Sequence, residues 1–216
     1  MNALRPILRE AGEATADAAR QLREKLPVLF HNIDGHFDDI IRQVKRNDVA
    51  DVPATRIDVS VKAFTRNKNH SKKDFTDQRD EQIAALQKMS VAQWVKNRTD
   101  YATHGRTPES LQAQQATRDV ALKTKIAELR ASGQSRTEAA ENAQQWLSTQ
   151  AATHRLDGIA GGNLTDISGV GHSGVNSSLG SQWRSRVTDI DAAVNAFVRA
   201  NPGVNLDNVF MNVAFR

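Results

Sequence analysis

Apolar positions near the start of the chain recur at helical spacing. Leu4, Leu8, Ala11, Ala18, Leu22 and Leu26 fall on one stripe with Arg and Glu between them, and Pro27 punctuates the run. A second stripe, Leu29, Ile33, Phe37, Ile40, Ile41 and Val44, is broken once by Gly35 and dissolves into the polar residues 45–48. The two predict a helical hairpin over residues 1–52. At Arg56 the period changes to two: Ile57, Val59, Val61 and Ala63 alternate with Arg56, Asp58, Ser60 and Lys62, the pattern of a half-buried strand. The same alternation returns at Val209, Met211, Val213 and Phe215. A lone strand leaves its backbone groups unpaired, so the two are expected to form a small two-stranded antiparallel sheet, about 56–64 with 208–215.

Between these strands the pattern is helical. After the polar, basic connection 66–73, a helix is predicted over about 74–89. Ser90 and Gln93 form a capping-box pair that opens a helix carrying Trp94 and Tyr101 and ending near His104 and Gly105. Thr107, Pro108 and Glu109 supply an N-cap, a first-turn proline and an early acid for a helix that reaches Leu129 and stops before Gly133. Ser135 and Glu138 repeat the capping box. The helix they open carries Trp146 and Leu147 and is expected to run on through His154 and Asp157 to Gly161 and Gly162. A last helix, expected to start near Asn176, has the cleanest stripe: Leu179, Trp183, Val187, Ile190, Val194 and Phe197, stopped by Asn201, Pro202 and Gly203. The prediction is a mainly α fold, about six or seven helices with one small sheet, in which residues 53–216 form the principal domain.

Composition narrows this further. With 216 residues and 39% hydrophobic content the chain can bury a real core. Cysteine is absent, which excludes disulfide stapling and thiolate metal sites. No window approaches the roughly 18 apolar residues of a membrane span, and the N-terminal segment lacks the apolar core of a cleaved signal. The expectation is a chain folded in the cytoplasm, without a membrane anchor, that leaves by other machinery if it leaves at all. A net charge of +4 and an isoelectric point near 9.6 suit a polyanionic substrate without demanding one.

Candidate chemistry concentrates in residues 154–183. His154 and Asp157 lie three apart, so on a helix they would share a face. Asp157 could orient and charge-stabilise the imidazole while His154 takes a proton from water, or both could approach a hydrated cation; the residues alone leave both roles open. Seven of the 12 glycines follow within 23 positions, from Gly158 to Gly180. Gly161 and Gly162 are expected to turn amides toward an anion. Asn176, Ser177 and Ser178 at the next helix start, with Arg184 and Arg186 in its early turns, complete an expected phosphate cradle. Each feature has an ordinary reading as well: a surface pair, a flexible connection, a cap. His31, His36 and His70 read as residues without a chemical task, His104 and His172 as weaker candidates, and Trp94, Trp146 and Trp183 as core rather than base-stacking platforms.

The stretch His154 to Val187 resembles the signature of the bacterial polymorphic-toxin nucleases called Novel toxin 15: HxxD at His154 and Asp157, then Ala160, Gly161 and Gly162, then the VNSSLGSQW block from Val175 to Trp183. Residues 74–106 resemble the segment preceding HxxD in such toxins. The resemblance implies a DNase acting in competitor cells, delivered by a contact-dependent route such as type VI secretion and neutralised in the producer by a cognate immunity protein. It implies His154 and Asp157 as the catalytic pair and Mg as cofactor, with Asp157 a metal ligand. The N-terminal 70 residues lie outside the resemblance, and are expected either to bind a secretion carrier or chaperone or to serve only as extra packing. One departure is His172, standing where relatives often carry an acid after Gly171; if that acid binds metal in relatives, Asp166, Asp189 and Asp191 are the nearby substitutes. A ribonuclease of the same architecture and a non-catalytic helical module that grips nucleic acid or a partner protein are the rival readings.

Overall fold

The computed structural model describes residues 55–216. The predicted hairpin of residues 1–52, with its expected carrier role, lies outside the described residues. The order of elements is β1 (Thr55–Val61), α1 (Lys72–Lys88), α2 (Val91–His104), α3 (Pro108–Ala131), α4 (Arg136–Ser148), β2 (Gln150–His154), β3 (Ile167–His172), α5 (Ser173–Ala200) and β4 (Val209–Phe215). Short 3-10 turns occur at Gly158–Ala160 and Leu206–Asn208. The described residues thus hold five α-helices against an expected six or seven, and two of the expected ones belong to the hairpin outside them.

The helix starts follow the capping logic. Ser71, Ser90, Thr107 and Ser135 each accept a hydrogen bond from the backbone N–H three residues on, and Ser135 with Glu138 closes a full capping box. The two end strands do pair, but in parallel rather than antiparallel, with Ile57 opposite Met211 and Val59 opposite Val213. Alternation of apolar residues is the same read in either direction, so it carries no information about strand sense. Parallel pairing needs a long crossover, which the intervening helices supply. The inner faces of both strands meet α1, α2 and α5 in one core that includes Leu86, Val91, Trp94, Trp183, Val187, Ile190 and Val194.

A second correction bears on the site. The helix opened by Ser135 stops at Ser148, capped by Thr149, and residues 150–154 are a strand paired antiparallel with Ile167–His172. The run QQWLSTQAATHRLD contains no Gly or Pro and is rich in helix formers, so local propensity argues for continuation; pairing with the glycine-dense β3 overrides it. The last helix also begins at Ser173, three residues before the expected start, and packs along this hairpin.

Candidate active site

His154 therefore closes strand β2, and Asp157 follows it in a turn rather than on the same helical face. Asp157 caps the 3-10 turn: its Oδ1 accepts a hydrogen bond from the Ile159 amide at 2.9 Å, and its carbonyl accepts from Ala160 at 2.9 Å and Gly162 at 3.0 Å. The Asp157 carboxylate is still near enough to the His154 ring to favour its charged form. His154 is half-buried, and its Nε2 lies 3.2 Å from the Leu164 carbonyl oxygen. A carbonyl only accepts, so Nε2 carries the proton and Nδ1 keeps the lone pair. Burial is the largest influence on the ring and lowers its pKa below the usual histidine value, against the opposing pull of Asp157 and of the Leu164 bond. Neutral imidazole with a free Nδ1 is the form a general base needs.

The turn is held from behind by one face of α2. Trp94 Nε1 donates to the Ala160 carbonyl at 2.8 Å, Asn97 Nδ2 to the Gly161 carbonyl at 2.8 Å, and Arg98 to the Ile159 carbonyl at 2.5 Å. Positions 94, 97 and 98 are neighbours on a helix, so three consecutive carbonyls are met by three side chains of one stripe. Arg98, itself buried, also forms an ion pair with the half-buried Asp191 of α5 at 2.8 Å. Burial raises the Asp191 pKa and the arginine opposes the rise. A further anchor is Gln82 of α1, itself buried, whose Oε1 accepts from the Trp183 indole at 2.6 Å and from the Asp157 amide at 3.4 Å.

Gly161 and Gly162 do not present amides to an anion as expected. The Gly161 amide donates to the Gly158 carbonyl at 3.1 Å and the Gly162 amide to that of Asp157. Their task is steric. Gly161 has φ +90°, and a Cβ at Gly162 would lie 1.8 Å from the Leu156 carbonyl oxygen. Gly180 does for α5 what these do for the turn, since a Cβ there would stand 2.8 Å from Asp157 Oδ2. This contact brings the α5 face bearing Gly180 onto the aspartate. At about 100° per residue, Asn176, Ser177 and Arg184 fall within roughly 60° of Gly180, whereas Ser178 lies about 160° away. Ser178 instead accepts from Gln182 at 3.3 Å on the side where Gln182 bonds the Thr65 backbone. Arg186 is buried and donates to the Gln182 carbonyl at 2.6 Å, so it supports the fold rather than the site. Of the expected cradle, then, Asn176, Ser177 and Arg184 lie on the same side of α5 as Gly180.

Two groups that the sequence did not single out for the site, Tyr101 and Arg106, lie near it. Tyr101 of α2 is pushed to a higher pKa first by burial and then by the Asp157 charge, while Arg106 and Arg184 pull it back. Arg106 also acts on His154. Tyr101, Arg106, His154, Asp157 and Arg184 therefore share one electrostatic neighbourhood. Tyr101 sits one turn after Asn97 and Arg98 and two turns after Trp94, so the signal for it was continuation of a packing face.

The substitute metal ligands fare poorly. Asp166 pairs with Arg155 at 3.2 Å, Asp191 is taken by Arg98, and Asp189 lies half a turn around α5 from Gly180. Among the described residues no group of three or more His, Asp or Glu is placed to hold a metal ion. Asp157 bonds the Ile159 amide through Oδ1, and Oδ2 has no hydrogen-bond partner among the described residues. His172 lies away from this centre, its ring 6.0 Å from that of His70. Trp94 and Trp183 are core, as expected, while Trp146 is half-buried with Lys125 over its ring. No helix among the described residues is long and apolar enough to cross a membrane.

A family model described as Novel toxin 15 matches residues 69–209, well over half of the chain and all of the site. No curated protein matches the sequence.

Proposed function

The chain belongs to the Novel toxin 15 family of polymorphic toxins, and from that premise we propose that it is an antibacterial DNase whose reaction centre is His154 and Asp157. The observation that carries this reading is the bond from His154 Nε2 to the Leu164 carbonyl, which leaves Nδ1 free as a base near an acidic side chain, with Arg106 also acting on the ring. In the reaction, a water attacks phosphorus in line with the leaving oxygen and gives its proton to Nδ1. The bond from phosphorus to the leaving oxygen breaks, and that oxygen takes a proton from solvent. Arg106 and Arg184 neutralise charge that develops on the non-bridging oxygens. Asn176 and Ser177 offer polar contacts to the phosphate on the same helical face as Arg184.

The donor set suits Mg only as an ion held jointly with substrate. Asp157 Oδ2 contributes one hard ligand, and water and phosphate oxygens must contribute the rest, an arrangement Mg tolerates well. So bound, it would add Lewis-acid stabilisation of the phosphoryl charge. In this reading the target is DNA of a competing cell, reached by a contact-dependent route such as type VI secretion, and a cognate immunity protein neutralises the toxin in the producer. The N-terminal residues are assigned to carrier or chaperone binding.

The test is cleavage of plasmid DNA and of RNA, each with Mg and with excess chelator, by the wild type, His154→Ala and Asp157→Ala. DNA cleavage lost in both variants and on chelation is expected. Unchanged cleavage by His154→Ala overturns the reading, and chelator-resistant cleavage confined to RNA replaces it with a ribonuclease that uses the 2′-hydroxyl.

A further inference from the structure

A cleft of about 330 Å³ opens between the end of α2 and the loop 162–165, lined among others by Asp100, Tyr101, His104, Asn163, Leu164 and Thr165. It shares Leu164 with the reaction centre, because that residue forms its wall and supplies the carbonyl that fixes His154. It shares Tyr101 as well, whose ring carbons would stand 3.0 Å from a Cβ at Gly158, the residue after Asp157. Whatever group is attached to a phosphate beside His154 Nδ1 therefore has this cleft within reach.

We propose that the cleft is a nucleobase subsite, taking the base of a nucleotide next to the scissile phosphate out of its stack; this rests on the phosphodiesterase reading above. Tyr101 and His104 lie three apart on α2 and put two rings on one wall, and a ring is a stacking partner for any base. The polar groups on the walls are the kind that read a base edge. His104 Nδ1 donates to the Asp100 carbonyl at 3.2 Å, which leaves Nε2 as an acceptor. Asn163 Oδ1 is taken by the Thr165 amide at 3.0 Å and hydroxyl at 2.9 Å, which leaves its Nδ2 as a donor. A donor and an acceptor over aromatic walls match a heterocycle better than a sugar or a second phosphate. The volume falls at the lower end for small-ligand sites, room for one nucleoside and not for a paired duplex.

The consequence is a substrate preference. A base can enter only where it is unpaired or cheaply unstacked, so single-stranded and mismatched DNA are cut faster than a perfect duplex of the same sequence. The test uses the full chain and single-stranded oligonucleotides in which one abasic residue is walked past the cut bond. Cleavage falls about ten-fold when the abasic residue occupies the flanking position, the scale of one lost base–aromatic contact. Thr165→Trp, which fills the cleft from its exposed rim, slows the intact substrate similarly and erases the difference between intact and abasic strands. In parallel, His154→Ala is titrated with a thymidine trinucleotide, and amide shifts are expected at Gly105, Asn163 and Thr165. Equal cleavage of intact and abasic strands by an active wild type overturns the subsite and leaves the nuclease standing. If no nucleic acid is cut at all, the nuclease reading fails instead, and the titration alone decides the cleft: shifts at those amides support it, and their absence overturns it.

Discussion

Gly180→Ala separates folding from function in this protein. In the interior of α5 the change should help, since alanine is favoured over glycine by about 1 kcal/mol in a helix. Against this stands Asp157. The new Cβ would lie 2.8 Å from Oδ2, roughly half an ångström inside ordinary contact, and the carboxylate must turn away. Turning breaks the Oδ1 bond to the Ile159 amide, a cap worth about 1 kcal/mol. The two terms nearly cancel, so the melting temperature should move by no more than about 4 °C, the shift that ~1 kcal/mol produces in a domain of this size. Activity has no such compensation. A carboxylate displaced by about 1 Å from a reaction centre costs on the order of 10²-fold in rate. Plasmid nicking under single-turnover conditions, with thermal unfolding of the same sample, reads both quantities. A Gly180→Ala protein that melts normally and cuts at the wild-type rate would refute the placement of Asp157 in the chemistry.

Three further outcomes are expected. Gly162→Ala puts a Cβ 1.8 Å from the Leu156 carbonyl oxygen, backbone against side chain with no flexible end to yield, so the turn must distort; chemical denaturation should show a loss of about 3 kcal/mol or more together with inactivity. Arg98→Met strands the half-buried Asp191 and should cost about 3 kcal/mol, the lower end for a buried pair, whereas Arg98→Met with Asp191→Leu should recover most of that stability but not the cleavage rate, because the Ile159 carbonyl still lacks its donor. Finally, the lowered His154 pKa means that the unfolded chain binds a proton there before the folded one does. Stability is thus fully present above the ordinary histidine range and is lost as pH falls through 6.5 toward the folded value. His154→Gln should flatten that part of the stability profile. The acid limb of kcat/KM in the wild type should lie below 6.5.

How far the chain could be read depended on whether a feature is local. Helix starts are local, and Ser90, Thr107 and Ser135 announced theirs because the cap and the amide it satisfies are within three residues of each other. The strands at 55 and 209 were visible from alternation, but their parallel sense was not, because it is decided by where the helices between them carry the chain. The β2–β3 hairpin was invisible for a stronger reason. One partner reads as helix and the other, ISGVGH, is poor in strand formers apart from Ile167 and Val170, so only tertiary pairing makes either a strand. The candidate site was legible in its titratable residues and illegible in their geometry: His154 and Asp157 stand out by residue type, while Tyr101, Asn97, Arg98 and Gln82 matter through partners more than 50 residues distant in sequence.

The HxxD spacing has a different physical meaning from the one helical periodicity suggests. On a helix, three residues would fix the two side chains by the rise and turn of the backbone, and mutations elsewhere would leave their relation intact. Here the relation is made by a turn whose carbonyls at 159, 160 and 161 are each held by α2, and whose aspartate is pressed against a glycine of α5. Most of the residues around the motif, including the two glycines after Ala160 and the glycine and tryptophan of LGSQW, therefore serve to place a single carboxylate. Substitutions on the hidden face of α2 should then lower the cleavage rate more than substitutions at Ser177, although only Ser177 is exposed.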